Sequence, residues 1–191
     1  MIYVLDNFID KELFKIATSY LEKGTWIDHK VGEKHFYTQE SNNAFDDYVL
    51  SKLSSFEGKE LKNILSFFRM SNDELDTNWR IHADAKIKGE QPDRALVLYM
   101  SPRELEEIHG TAFYEHDIYG KELPMDISNK EFDLLLTEDS EMLEKWRLTS
   151  VVGYEQNRAV SYPSNYFHSK YPNKSWKEGR EVFVMFYKTI I

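Results

Sequence analysis

"RIHADAKIKGEQPDRALVLYM", residues 80–100, joins a His-Ala-Asp triplet to an apolar run. In an extended chain residues i and i+2 project to one face, so His82 and Asp84 point together and Ala83 points away. Imidazole and carboxylate side by side suit one divalent ion. Alone the pair carries little weight. Six histidines and 33 acids among 191 residues give about one such spacing by chance. A third ligand has to come from elsewhere in the chain. The run "RALVLYM" that follows, residues 94–100, is rich in strand-forming residues and is expected to be a strand.

Two segments near the C-terminus give the triplet its context. "NRAVSYPSNYFH", residues 157–168, alternates apolar residues into a Pro-Ser turn and presents His168. "GREVFVMFYK", residues 179–188, opens a strand on Arg180, with Val182, Val184 and Phe186 on the same face. An unpaired guanidinium at the mouth of an apolar face is costly, so Arg180 calls for an anionic partner. A carboxylate accepting two parallel N–H bonds fits it best. If the intervening loop "SKYPNKSWKEG", residues 169–179, does not fold back, Arg94 or Lys170 could serve instead. Two histidines and one carboxylate, with open positions left on the ion, form a ligand set suited to iron(II).

Further out, Leu13, Ile16, Ala17, Tyr20 and Leu21 recur at helical spacing between a cap at Asp10 and a stop at Gly24. Phe45, Val49, Leu53 and Phe56 predict a second amphipathic helix. From Trp79 onward the chain reads as strands, including "HGTAFYEH" (109–116) and "EVFVMFYKTII" (181–191). One helical stretch interrupts them, roughly Phe132 to Trp146, with Phe132, Leu135, Leu136, Leu143 and Trp146 on one side. Helices first and then strands imply an α+β fold with a β-sandwich or open-barrel core.

A chain of 191 residues suits one domain. It has no apolar run near the ~20 residues that span a bilayer. "MIYVLDNFIDKELF" lacks the basic start of a secretory signal, and a cytoplasmic location is expected. Without cysteine, any metal ligands must be His, Asp or Glu. The net charge of −9 argues against nucleic acid as a partner. His109 and His116 are expected at the surface or in loops, and no role is assigned to His29 or His35. Arg158 is expected in a structural ion pair. Tyr162, Tyr166 and Phe167 should be core or pocket wall, and Trp79 and Trp176 packing residues by preference or else walls of a substrate cleft.

Taken together these residues resemble the 2-oxoglutarate- and iron(II)-dependent dioxygenases, in particular the prolyl-4-hydroxylase-like branch. The likeness rests on "HAD" at His82–Asp84, on the strand "RALVLYMS" with Tyr99, and on "HGTAF", similar to a Gly-rich family strand with His109 in place of the first glycine. "NRAVSYPSNYFH", "GREVFVMFY" and the opening "VLDNFIDKELFKI" complete it. The resemblance implies a double-stranded β-helix (jelly-roll) core in a single domain, 1–191, with N-terminal helices packed on it and a helical insertion. Residues 78–118 and 151–191 would carry the site, and 119–150 would form the insertion, a lid by preference or else outer padding. It also implies that His82, Asp84 and His168 hold Fe(II). Arg180 would pair with the distal carboxylate of 2-oxoglutarate, and Tyr99 would donate a hydrogen bond to the same group. The implied reaction consumes O₂, releases succinate and CO₂, and hydroxylates a peptidyl proline, another amino-acid residue or a small molecule. The alternative is a non-catalytic, metal- or ligand-binding jelly-roll or cupin-like module.

Overall fold

Strand β10 (Arg180–Thr189) buries Val182, Val184 and Phe186 on one face and Phe183, Met185 and Tyr187 on the other. A strand apolar on both faces belongs in the middle of a layered structure, and the computed structural model of the chain places it there. Residues 1–191 are described except 32–33, 73, 75–78, 85–86, 88, 102–107, 173–178 and 191.

Strand β10 pairs antiparallel with β4 (Leu61–Ser71) on one side and β5 (Arg94–Tyr99) on the other. The sheet continues through β8 (Ala159–Pro163) to β1 (Tyr3–Leu5), and through β3 (Lys34–Glu40) to β2 (Ile27–Val31), seven strands in all. A second sheet sets β6 (Gly110–His116) between β7 (Trp146–Gly153) and β9 (His168–Tyr171). The two antiparallel sheets form the jelly-roll core expected from the sequence.

Alternation sorts the core into three layers. Phe68, Leu96, Leu98, Phe183 and Met185 face helices α1 (Lys11–Lys23) and α2 (Asn43–Glu57), which contribute Phe14, Leu21, Phe45 and Leu53. Val97, Tyr99, Val160, Val182 and Val184 face inward toward Phe113 of β6. Ala112, Tyr114 and Phe167 form the outer layer with Leu123 and with Leu135 of α3 (Asn129–Thr137). Both N-terminal helices lie where the periodicity predicts. The Asn42 side chain accepts from Phe45 N at the start of α2, and Gly58 at φ 65° ends it. Among the described residues no helix is long and apolar enough to cross a membrane.

Two parts of the fold differ from expectation. Strands begin well before Trp79, because β2, β3 and β4 extend the large sheet. The helix in the insertion starts at a Ser128–Glu131 capping box and stops at Thr137. Asp139 then closes two short 3₁₀ turns: its carboxylate accepts from Lys145 at 2.6 Å and its carbonyl from the Trp146 indole at 2.7 Å. Trp146 therefore begins a strand instead of ending a helix.

The close approach of β6 and β7 is testable. A Cβ on Gly110 would sit 1.9 Å from the Val152 carbonyl oxygen, whereas one on Gly153 would meet only the end of Arg158 at 3.9 Å. Gly110→Ala should cost about 1–3 kcal/mol or more. Gly153→Ala should change stability by about 0.5 kcal/mol or less. Urea denaturation midpoints at unchanged slope would measure both.

Candidate metal centre and its cavity

His82 and His168 are joined through their backbones. His82 N donates to the His168 carbonyl at 3.0 Å, and His168 N to the His82 carbonyl at 2.8 Å. This isolated antiparallel bridge, not a regular strand, brings the imidazoles side by side with ring centroids 4.5 Å apart. Asp84 follows on the same segment, its N–H held by the Ser164 carbonyl at 2.8 Å.

The ring orientation follows from local partners. Nδ1 of His82 lies 2.7 Å from the Arg80 carbonyl and Nδ1 of His168 2.9 Å from the Tyr166 carbonyl. A carbonyl only accepts, so each Nδ1 carries the proton and each Nε2 presents a lone pair. Those Nε2 atoms face Asp84, 3.9 Å from Oδ1 for His82 and 3.7 Å from Oδ2 for His168. One donor atom from each residue falls in a group no wider than 4.8 Å. The carbonyl partners fix ring and tautomer as outer-shell groups do around bound metals.

Burial sets the charge state. It pushes His82 down to about 4, helped by the His168 charge, and His168 also down to about 4. The same burial pushes Asp84 up to about 6, opposed by His82 and Arg69. At neutral pH the cluster is two neutral imidazoles and one carboxylate, the protonation a divalent ion requires.

The triad opens into a cavity of about 470 Å³ between the sheets. Arg180, 8% exposed, enters it from β10 on the face shared with Val182, Val184 and Phe186. Its Nη2 donates to Thr111 Oγ1 at 3.4 Å, and its guanidinium stands 5.6 Å from the centroid of the Tyr99 ring. Tyr99 is fully buried and stacks on Tyr154 at 4.3 Å. Its hydroxyl lies 2.8 Å from Thr111 Oγ1, and Thr111, not Tyr99, lines the cavity. Lys170 and Trp79 line it as well, with Leu136 and Ser140 of the insertion. Elsewhere in the insertion Leu123, Phe132 and Leu135 pack on the outer layer, and its last residues enter the small sheet as the start of β7.

Arg94, the alternative carboxylate partner, faces away. Its guanidinium bonds Ser161 and the Met1 carbonyl and lies over the Tyr3 ring. Arg158 pairs with Asp6 at 2.5 Å, as expected. Trp176 lies outside the described residues. His109 and His116 are buried, contrary to expectation. His116 stacks on Tyr119 and meets Trp146 edge-on, 3.3 Å from Asp139. Tyr119 is close in sequence, but Asp139 and Trp146 come from farther along the insertion, where no local signal could show them. Sequence reasoning also passed over Arg69, Ser71 and Phe36, which line the cavity from β4 and β3.

A scan of family models and a search of curated proteins each found no match. Solved structures do match. The non-heme alpha-ketoglutarate-dependent carbocyclase SnoK from nogalamycin biosynthesis aligns at TM-score 0.67 and 12% identity, over 97% of this chain and 78% of its own. HygX from Streptomyces hygroscopicus, with nickel and 2-oxoglutarate bound, aligns at 0.65 and 10%, over 100% and 83%. A Pseudomonas putida prolyl-4-hydroxylase aligns at 0.54 and 11%, over 100% and 93%. The chain has the fold of the 2-oxoglutarate/Fe(II) oxygenases.

The protonation pattern predicts how metal affinity depends on pH. Protons and the ion compete for Asp84, so affinity should be flat above about pH 6 and fall about tenfold per unit below it. Near pH 4 the fall should steepen as both imidazoles protonate. Mn(II) titrations from about pH 3.5 to 7.5 would measure this, and Asp84→Asn should remove the dependence that begins near pH 6.

Proposed function

We propose that this chain is a 2-oxoglutarate- and Fe(II)-dependent oxygenase, one domain over residues 1–191, that hydroxylates an amino-acid residue, peptidyl proline among them, or a small molecule. The observation that carries this is the presence in one cavity of three convergent metal donors and a buried arginine. A metal-binding module without turnover has no need of a buried guanidinium in the same cavity.

His82 and His168 would offer Nε2, and Asp84 a carboxylate oxygen, to Fe(II). Three protein ligands leave coordination positions for a keto acid and O₂. Bound there, the iron supplies the redox chemistry that couples decarboxylation of 2-oxoglutarate, to succinate and CO₂, with oxidation of a substrate C–H bond. Arg180 orients the cosubstrate by pairing with its distal carboxylate, a contact that guanidinium makes bidentately. Thr111 fixes the guanidinium from across the cavity. Tyr99 acts through Thr111, because its hydroxyl reaches that side chain. Val182, Val184 and Phe186 give the site an apolar wall that excludes water and strengthens these charge pairs.

Anaerobic titration of the Fe(II) protein with 2-oxoglutarate tests the proposal without a known substrate. A weak visible charge-transfer band should appear, marking an iron-bound keto acid. It should be absent in His168→Ala. In Arg180→Met it should require about 10–100-fold more cosubstrate, the loss expected for charge-assisted hydrogen bonds. A wild-type protein that binds iron and shows no band would be a binding module or a different metalloenzyme.

A further inference from the structure

The cavity holds more positive charge than one cosubstrate uses. Among the described residues lining it, four are cations, Arg69, Arg80, Lys170 and Arg180, and Asp84 is the single carboxylate. This occurs in a chain whose net charge is −9. Accepting the oxygenase assignment above, 2-oxoglutarate brings two carboxylates, one for the metal and one for Arg180.

Arg69 is the cation whose position is most specific. On β4 it lies directly opposite Val182, while Ser71 lies opposite Arg180. Opposed residues of antiparallel strands share a face, so the Arg69 and Arg180 side chains rise from the same wall at diagonal positions, about 7–8 Å apart at their origins. The Arg69 guanidinium rests over the Phe36 ring, 4.6 Å from its centroid. That aromatic seat, from β3, holds it on the side of the cavity away from β5. Arg69 lines the cavity together with Arg180 and with the three metal donors His82, Asp84 and His168. A guanidinium facing a metal dication is repelled by it, and an oxyanion between them is attracted by both. Five N–H donors let Arg69 receive such a group while keeping contacts it already makes.

We propose that Arg69, seated on Phe36, binds an oxyanion of the substrate itself, so that the molecule oxidised is a small carboxylic acid or phosphate ester. An interior residue of a polypeptide would bring no such group unless its side chain were acidic. The cavity volume of about 470 Å³ lies within the range of small-molecule pockets, ~300–1,000 Å³.

The test uses protein loaded with Zn(II) and 2-oxoglutarate and three probes: N-acetylglycine, its neutral amide, and methyl phosphate. Saturation-transfer NMR should show at least one anionic probe binding about tenfold more tightly than the amide, and the tighter of the two separates carboxylate from phosphate. Arg69→Met should abolish that preference and leave 2-oxoglutarate affinity within about threefold, while Arg180→Met weakens the cosubstrate more than about tenfold. Arg69→Lys, which keeps the charge, should retain most of the preference and serves as the second variant if the methionine form does not fold.

The proposal is overturned if the amide binds as well as both anions, or if Arg69→Met keeps the preference. An equal loss of 2-oxoglutarate affinity in the Arg69 and Arg180 variants also overturns it, by assigning Arg69 to the cosubstrate. A wild type that fails to bind 2-oxoglutarate but, loaded with Zn(II) alone, binds anions through Arg69 would refute the oxygenase assignment and leave the anion site standing.

Discussion

The reciprocal backbone bond between His82 and His168 is the constraint on which the site depends. It fixes two ligands that are remote in sequence at one separation, and the segment preceding β9 holds the third. Asp84 N–H bonds Ser164, four residues before His168, so both ends of the His-Ala-Asp triplet are tied to the same short stretch. That stretch is anchored in turn. Ser164 Oγ donates to the Pro92 carbonyl, and Phe113 of β6 lies opposite His168 in the small sheet. The ligands therefore move as one body with the strands and not as independent loops, which is what keeps a metal site within the narrow geometry it tolerates.

The layering explains why Arg180 can be buried. Strand β10 is sealed by helices on one face and by the small sheet on the other, and a guanidinium inside that core would be prohibitive. Arg180 occupies the strand's first position, where the inner layer gives way to the cavity. Thr111 gives it a hydrogen-bond acceptor and Tyr99 an aromatic neighbour. Thr111 belongs to one sheet and Arg180 to the other, so the contact also spans the two layers. An oxyanion arriving at Arg180 meets a donor that is already oriented, and less ordering entropy is lost on binding.

How much of this is legible in sequence depends on whether the signal is local. The triad is legible because a two-residue spacing and a Pro-Ser turn are features of short segments. Arg180 is legible because a lone cation ends an apolar face. The same logic applies to "LSFFRMS", where Leu65, Phe67 and Arg69 share a face, yet Arg69 goes unread because β4 lies between a helix and the first expected strand. Once that segment is recognised as a strand, Arg69 stands out as Arg180 does. His116 and Tyr99 are different. The burial of His116 depends on Asp139 and Trp146, and the hydroxyl of Tyr99 depends on Thr111 of the opposite sheet. A residue's type and its near neighbours contain neither fact. The early end of α3 is an intermediate case: its capping box is local, but its stop is made by Asp139 holding Lys145 and Trp146.

The contrast between an acidic chain and a basic cavity has a kinetic consequence. A net charge of −9 repels a dianion such as 2-oxoglutarate at long range, and salt screens that repulsion beyond about 8 Å at physiological ionic strength. Inside that distance the local field decides, and low-dielectric walls concentrate it. Cations recessed between two sheets attract an anion at short range, where the net charge of the whole chain counts for less.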